Sequence, residues 1–168
     1  LRGRADFALG TISLPELSLT RDQLKSINRV VLMGMGTSLH TAMFGASLIE
    51  SLARIPASAD NSSELRYRNP VLDENTLVVA LTQSGETADT LAAMEHARQS
   101  GAQLGVILEL EGSQATRVAD FTLPVRAGQE ICVASTKTMI ASMTTLLELA
   151  VFIAEARGEL DASQVKTI

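Results

Sequence analysis

The feature that most constrains the fold of this chain is a repeated change of pattern, from short apolar runs to longer segments with helical spacing. The runs are rich in β-branched residues and leucine, as expected of strands buried on both faces of a sheet. Strands that alternate with helices predict α/β architecture with a parallel sheet and helices on both sides. We predict strands at 29–33, 76–82, 105–110 and 121–125, a weaker strand at 55–60, and helices at 39–53, 86–100 and 135–156.

The chain has 168 residues, which favours one domain with a sizeable apolar core. Residues 1–28 show no sustained period and are predicted to be a lead-in that packs on the domain. Within them, Thr20 and Gln23 have the spacing of a capping box that opens a short helix through about Ile27. We therefore predict a lead-in at 1–28, a domain at 29–160 and a tail at 161–168.

Composition argues against direct binding of nucleic acid. The formal net charge is -5, the isoelectric point is near 5.0, and the basic residues are scattered rather than clustered. Aromatic residues make up only 3% of the chain, so it offers few rings on which bases could stack.

The low cysteine content and the shortness of the most apolar stretch both favour a cytoplasmic protein. Cys132 is the sole cysteine of the sequence and cannot form an internal disulfide. The most apolar stretch, near the C-terminus, is interrupted by Glu148 and Glu155 and is shorter than the roughly 20 residues that span a bilayer. We therefore expect no transmembrane segment. Because the chain begins at Leu1 rather than at methionine, we expect a piece of a longer protein.

Three loops combine small residues with hydroxyl groups where a predicted strand gives way to a helix or a helix begins. They are GMGTS at 34–38, TQSGET at 82–87 and VASTK at 133–137. In open parallel sheets, ligands bind outside the carboxyl ends of the strands, where helix N-termini present unpaired N–H groups. The recurrence of such loops predicts a polyhydroxylated, anionic ligand, and a phosphorylated sugar fits.

The simpler interpretation of any one of these loops is a helix cap, since serine and threonine are common there. One capping hydroxyl, such as Ser84, would satisfy that need at 82–87. It would not account for Thr82, Gln83 and Thr87 beside it. We therefore expect Ser84 both to cap a helix that begins near Glu86 and to contribute to a site.

Other kinds of site find little support in the sequence. The segment GMGTSL lacks the third glycine of a dinucleotide fingerprint, which is replaced by Leu39, and only Asp60 is a loose match for its acidic residue. No Walker loop occurs, and the two histidines and Cys132 are not spaced as metal ligands. We expect neither a cofactor nor a metal. His96 is expected at the surface, whereas His40 is a candidate to face the ligand.

Four segments, MGTSLHTA, ELRYR, LTQSGETADTL and VASTK, resemble in order and spacing the first half of the isomerase part of glutamine:fructose-6-phosphate aminotransferases. These enzymes belong to the sugar isomerase (SIS) superfamily. The resemblance extends over about 160 residues. It implies a three-layer α-β-α sandwich with a five-stranded parallel sheet.

The resemblance also implies roles for particular residues. Residues Thr82, Gln83, Ser84 and Thr87 would hold the phosphate, while Ser38, Val133 and Ser135 would line the sugar, with Gly36, Thr37, Gly85 and Ala134 as further loop candidates. Thr82 stands where the family usually has serine, and Cys132 where it typically has glycine. The hydroxyl is kept at the first of these positions, so we expect binding to survive that change.

Catalysis is not assigned to any residue of this chain. The resemblance implies that the family's acid/base glutamate, histidine and C-terminal lysine lie in a second, similar half or in the tail, beyond Ile168. Isomerisation of an aldose or ketose needs a general base within hydrogen-bond reach of the substrate. The chain offers Glu86, Glu130, His40 and Lys137 near the loops, and spacing assigns that role to none of them. We interpret Glu86 as an acidic residue of a first helical turn.

Our leading hypothesis is a sugar-phosphate-binding module of an isomerising aminotransferase or phosphosugar isomerase, which binds fructose 6-phosphate or a related hexose phosphate. Two alternatives remain open. The chain could be a non-catalytic sensor domain of a transcription regulator, or a stand-alone isomerase of one domain. The apolar stripe on the last helix is broader than one sheet face requires, so we expect a partner, either a second copy or the second SIS half of the parent chain.

Overall fold

The centre of the computed structural model is a parallel sheet whose strands lie between residues 29 and 124. Residues 3–131 and 135–168 are described. The elements in chain order are β1 (Ala5–Asp6), β2 (Thr11–Ile12), α1 (Arg21–Ser26), β3 (Arg29–Gly34), α2 (Thr37–Leu48), a π-helical turn (Ile49–Ala53), β4 (Ala57–Asn61), α3 (Ser62–Arg68), β5 (Thr76–Leu81), α4 (Ala88–Gln99), β6 (Gln103–Leu108), α5 (Gln114–Val118), β7 (Phe121–Pro124), α6 (Lys137–Arg157) and α7 (Ala162–Val165).

The five long strands are ordered β4-β3-β5-β6-β7, and every neighbouring pair among them is parallel. Successive residues of β3 face opposite sides, so Val30 and Leu32 belong to one apolar cluster while Val31 and Met33 belong to the other. Helices α1, α2 and α6 cover the first side, and α3, α4 and α5 cover the second. The predicted α-β-α sandwich with a five-stranded parallel sheet is confirmed.

The N-terminal segment packs on the first side of the sandwich. The predicted capping box at the start of α1 is confirmed, because Thr20 accepts from the N–H of Gln23 and the Gln23 side chain accepts from the N–H of Thr20. Leu24 is buried in the core, and the Arg157 guanidinium at the end of α6 donates to its carbonyl group. The division of the chain into lead-in, domain and tail stays a prediction.

Helix α6 is long and apolar enough, by length and composition, to cross a membrane. However, 56% of its most apolar window is buried inside the domain, and Leu146, Leu149 and Ile153 belong to the core cluster on that side of the sheet. Its apolar character therefore follows from its place as a core helix.

Several boundaries and short elements differ from the prediction. Strands β1 and β2 and helices α3, α5 and α7 were not predicted, and each of these elements has seven residues or fewer. Strand β6 was predicted at 105–110 but ends at Leu108, because the N–H groups of Glu109 and Leu110 turn away from the sheet to the carbonyl oxygen of Gln83. Met43, on α2, is 58% exposed although its side chain is apolar.

Candidate functional site

The order of the strands creates a crevice between β3 and β5. From β3 the chain passes to β4 on one side, and then returns to place β5, β6 and β7 on the other side. The loops that leave β3 and β5 therefore diverge to opposite faces of the sheet. Ligands of open α/β sheets bind at such a switch point, outside the carboxyl ends of the strands.

A cavity of about 450 Å³ lies at this switch point. Its volume is within the range of small-molecule pockets, roughly 300 to 1,000 Å³. None of the lining residues that the structure describes carries a charge, and most bear a hydroxyl, an amide or no side chain. They are Met35, Gly36, Thr37, Ser38, Leu81, Thr82, Gln83, Ser84, Thr87, Thr90 and Ser135.

The loop after β5 is fixed by its own hydroxyl groups. The Thr82 Oγ1 accepts from the N–H of Gly85 at 3.2 Å, in a buried position, and the Ser84 Oγ accepts from the N–H of Glu86 at 3.2 Å. Since each hydroxyl oxygen accepts a bond from the loop, its own hydrogen is free to be donated to a ligand. Acceptor-only groups such as phosphate oxygens suit that arrangement.

Gly85 packs this loop against the segment after β6. Its φ of 69° lies in the left-handed region, and a Cβ at this position would collide with the side chain of Ser113. Its carbonyl oxygen accepts from the N–H of Ala115 at 3.0 Å. Gly85 was predicted as a loop candidate, but it is buried and is not among the lining residues, so its part is to shape the loop.

Two predictions about this loop are wrong in detail. Helix α4 begins at Ala88 with Thr87 as its N-cap, so Ser84 lies before the helix and bonds the N–H of Glu86 instead of capping the first turn. Glu86 is not in a first helical turn of α4 either. Its carboxylate accepts from the N–H of Gln114 at 2.8 Å, at the start of α5.

The loop after β3 brings a second helix start close to the strand. A Cβ on Gly34 would come within 2.8 Å of the backbone carbon of Ser38, so only glycine allows α2 to begin this near the end of β3. Gly36 is the N-cap of α2 and contributes no side-chain cap. Ser38 lies in the first turn of α2 and lines the cavity.

Helices α2 and α4 both start beside the cavity without a side-chain cap. The first N–H groups of a helix have no partner within the helix, and they carry about half a positive charge together. In α2, however, the N–H groups of Ser38 and Leu39 already donate to the carbonyl oxygens of Met35 and Gly36. An anionic group in the cavity would therefore be bound chiefly by the start of α4. None of the described lining residues is lysine or arginine, so the positive end of the α4 dipole is what would attract an anion here.

The start of α6 differs, because a carboxylate already caps it. Glu130 accepts from the N–H of Thr136 at 3.1 Å and from the N–H of Thr138 at 3.2 Å. The Thr138 N–H is the main reason that the pKa of Glu130 lies below its ordinary value. Ser135, just before this helix, lines the cavity.

The structure thus brings most of the predicted residues to one cavity. Val133, predicted to line the sugar, and Ala134, a further loop candidate, lie outside the described residues, as does Cys132. His40 is exposed on α2 and is not among the lining residues, whereas His96, expected at the surface, is half-buried on α4. Among the residues that the structure describes, no group of three acidic, histidine or cysteine side chains is placed to hold a metal.

Three lining residues were not predicted. Met35 and Leu81 are apolar. Met35 lies within the loop at 34–38, and Leu81 immediately precedes the loop at 82–87. Thr90 is 2% exposed and lies one turn into α4, three residues after Thr87. Its hydroxyl could have been found from helical spacing, since residues three apart on a helix lie on the same face.

Most of the chain matches the model of one known protein family. The model of the SIS domain matches residues 23–152, which include all five strands of the parallel sheet. The chain belongs to the SIS domain family. The resemblance inferred from the four sequence segments is therefore confirmed.

The SIS domain is similar to part of several aminotransferases. It is 41% identical over 168 residues to a glutamine–fructose-6-phosphate aminotransferase (isomerizing) of Symbiobacterium thermophilum, covering 100% of this chain and 28% of the relative. It is 44% identical over 167 residues to the enzyme of that name from Methanosarcina mazei, covering 99% and 27%. The chain thus spans little more than a quarter of the length of these curated relatives.

A solved structure of an aminotransferase domain is also similar to this chain. The C-terminal domain of glucosamine-fructose-6-phosphate aminotransferase from Francisella tularensis superimposes with a TM-score of 0.86 at 30% identity, covering 94% of this chain and 44% of that one. The SIS fold of this chain therefore corresponds to less than half of the neighbour's length.

Proposed function

We propose that this chain is the sugar-phosphate-binding module of a cytoplasmic isomerising aminotransferase or phosphosugar isomerase, and that it binds fructose 6-phosphate or a closely related hexose phosphate. The observation that carries this proposal is the hydroxyl-lined cavity, uncharged in its described residues, at which α4 begins without a side-chain cap. Backbone N–H groups and hydroxyls recognise phosphate without a counter-charge. The names of the relatives support the choice of ligand.

The phosphate is assigned to the loop after β5 and the start of α4. Thr82, Gln83, Ser84 and Thr87 line that part of the cavity, and the oxygens of Thr82 and Ser84 already accept bonds from the loop. Their hydrogens can therefore be donated to phosphate oxygens, beside the open N–H groups of α4.

The sugar is assigned to the opposite wall. Ser38 from the start of α2 and Ser135 from the segment before α6 lie there, with Gly36 and Thr37 beside them. These groups offer donors and acceptors to a polyol but no charge. Val133 remains a sugar-lining candidate from the sequence resemblance, and Ala134 a further loop candidate.

Turnover is assigned to other parts of the parent protein. Aldose/ketose isomerisation needs a group that accepts a proton near neutral pH. The described lining residues are apolar, amide or hydroxyl residues and backbone, and none of them is such a base. We therefore propose that this module positions the substrate for residues supplied from elsewhere.

Binding is tested by calorimetry and thermal unfolding of the 168-residue chain. Fructose 6-phosphate and glucosamine 6-phosphate should bind and raise Tm, since a ligand at 100 times its Kd stabilises by about 2.7 kcal/mol. Unphosphorylated fructose should have no effect. Absence of binding by every hexose phosphate would refute the proposal.

The location is tested by removing two hydroxyls. The double substitution Ser84→Ala and Thr87→Ala should reduce affinity for hexose phosphate by at least tenfold, because two charge-assisted hydrogen bonds are lost. Ser26→Ala, on the exposed side of α1, is the matched control and should leave affinity unchanged. Equal affinity of the double variant and the control would place the phosphate elsewhere.

A sensor module is the second candidate function. The described lining residues include no acid or base, and a sensor needs neither, because it binds its ligand without turnover. A module of an enzyme should support isomerisation when joined to the rest of its parent chain, whereas a sensor should bind the same ligand without turnover. An activity assay on the parent protein separates the two.

The exposed apolar surface of α2 and α6 supports a partner at this end of the domain. Met43, Phe44 and Ile140 are 58%, 42% and 63% exposed, on two helices that pack together and begin at the cavity. We assign this surface to a second copy of the chain. Light scattering should show a dimer that Phe44→Glu converts to a monomer; a monomeric wild type would instead indicate the second SIS half of the parent.

A further inference from the structure

Glu130 closes a short segment of the chain on itself. Its carboxylate accepts from the N–H groups of Thr136 and Thr138 at 3.1 and 3.2 Å and from the Thr136 hydroxyl at 3.4 Å. These partners lie six and eight residues further along the chain. The bonds therefore hold the two ends of the segment between Glu130 and α6 together.

Ser135 lies at the end of that segment, next to a residue that Glu130 binds. It lines the cavity, whereas Glu130 itself does not. An ordinary N-cap residue sits at the helix start and binds only its own first turn. Here Thr136 occupies the N-cap position without a side-chain cap of its own, and the cap comes from outside the helix. Removing the carboxylate would thus free Ser135 as well as uncap α6.

The charge of Glu130 also distinguishes α6 from the other two helices at the cavity. The starts of α2 and α4 have no side-chain cap, while the start of α6 is occupied by a carboxylate, with Lys137 as the nearby cation. A ligand phosphate is therefore drawn toward α4, and the α6 side is left for the uncharged part of the ligand.

We propose that Glu130 is a positioning residue that holds Ser135 against the sugar part of the ligand and thereby favours a hexose phosphate over phosphate alone. This inference rests on the proposed function, because it takes the phosphate to lie at α4 and the sugar at α6. It adds a residue outside the cavity as a determinant of ligand selection.

The test compares two ligands on one set of variants. Calorimetry gives the Kd of fructose 6-phosphate and of inorganic phosphate for the wild type, Glu130→Ala and Glu130→Gln. In Glu130→Ala the affinity for fructose 6-phosphate should fall about tenfold, as expected for loss of a helix cap and one sugar contact. The affinity for inorganic phosphate should stay within about twofold, since α4 is unchanged.

The conservative variant and a charge control complete the design. Glu130→Gln keeps the length of the side chain and one acceptor oxygen, so its affinity should lie between those of the wild type and the alanine variant. Glu111→Gln removes an exposed carboxylate from the loop after β6 and should change neither Kd. Thermal unfolding of each variant without ligand verifies that it is folded.

Two results on a wild type that binds fructose 6-phosphate would overturn the inference while leaving the proposed function intact. One is an unchanged Kd in Glu130→Ala, and the other is an equal loss of affinity for both ligands, which would indicate a merely structural cap. A wild type that binds neither ligand would instead refute the proposed function, and this inference with it.

Discussion

Gly85 has a backbone conformation that disfavours any other residue, and a neighbouring side chain leaves no room for a Cβ atom. Its φ is 69°, and an added Cβ would lie 2.7 Å from the Cβ of Ser113. Gly85→Ala should therefore lower the free energy of unfolding by about 2 to 4 kcal/mol, from backbone strain plus steric overlap. Urea denaturation measures the loss.

Gly101 provides a control that separates the two causes. It has a similar φ of 82°, but nothing lies within 4 Å of an added Cβ. Gly101→Ala should therefore show only the strain, about 1 kcal/mol. If both variants lost the same free energy, the contact between Gly85 and Ser113 would have no part in holding the loop.

Thr82 has a structural task beyond its proposed contact with phosphate. Thr82→Val keeps the shape but leaves the buried N–H of Gly85 without its acceptor, which should cost about 1 to 3 kcal/mol. Thr82→Ser keeps the acceptor and should cost less than about 1 kcal/mol, for one lost methyl group. Urea denaturation should separate the two variants, and equal losses would show that the hydroxyl does not hold the loop.

The residues of the candidate site were predictable where hydroxyls were clustered in sequence. Ser38, Thr82 and Ser84 stood out because each adjoins a glycine or another polar residue at the end of an apolar run. Thr90 was not predicted because it lies inside a helix, one turn beyond the clustered hydroxyl residues. Met35 was not predicted because the sequence does not distinguish an apolar side chain at a cavity from one in the core.

At the level of secondary structure, a side-chain carboxylate links the loop after β5 to the start of α5. Glu86, at the end of the loop after β5, accepts from the N–H of Gln114 at the start of α5. Glu86→Ala should lower the free energy of unfolding by about 1 kcal/mol, the usual cost of losing a helix cap. Urea denaturation measures it, and hydrogen exchange of the Gln114 N–H should become faster.

A double-mutant cycle isolates this contact. Gln114 is the first residue of α5, a position that accepts proline, and Ser113 before it has the extended backbone that proline requires. Gln114→Pro removes the N–H donor. In that background Glu86→Ala should have little further effect on stability; a full additional loss would mean that Glu86 acts through another partner.

Long elements were predictable and short ones were not, for a physical reason. Strands β3 and β5 are buried along nearly their whole length, so their composition alone identifies them. Helix α5 has only five residues and one buried side chain, and its cap is a carboxylate 28 residues earlier in the chain. Helices of that length depend on tertiary contacts that the local sequence does not display.

On the scale of the whole molecule, Arg4 joins three distant parts of the chain. Its guanidinium donates to Glu16 at 2.9 Å, to the carbonyl oxygen of Pro124 at 3.1 Å and to Glu148 at 3.3 Å. The N-terminal segment, the end of β7 and the middle of α6 are thereby connected. The sequence predicted that the segment packs on the domain, but contacts over more than 100 residues could not be predicted from spacing.

This connection should make stability depend on pH in the acid range. Burial tends to raise the pKa of the Glu16 carboxyl, but hydrogen bonds led by that of Arg4 outweigh it and bring the pKa below its ordinary 4.5. Because the folded pKa is the lower one, the ion pair contributes fully above the unfolded pKa. Its contribution is lost as the pH falls through the folded pKa.

The variant Glu16→Gln tests this dependence by removing the titrating group. Between about pH 6 and pH 3, the free energy of unfolding of the wild type should fall more steeply than that of Glu16→Gln. The two curves should be parallel above about pH 6, where the carboxyl is ionised in both the folded and unfolded wild type. Glu159→Gln, which neutralises an exposed carboxylate near the end of α6, is the matched control. If Glu16→Gln lost stability on acidification as steeply as the control, the bond between Arg4 and Glu16 would not be what fastens the N-terminal segment to the domain.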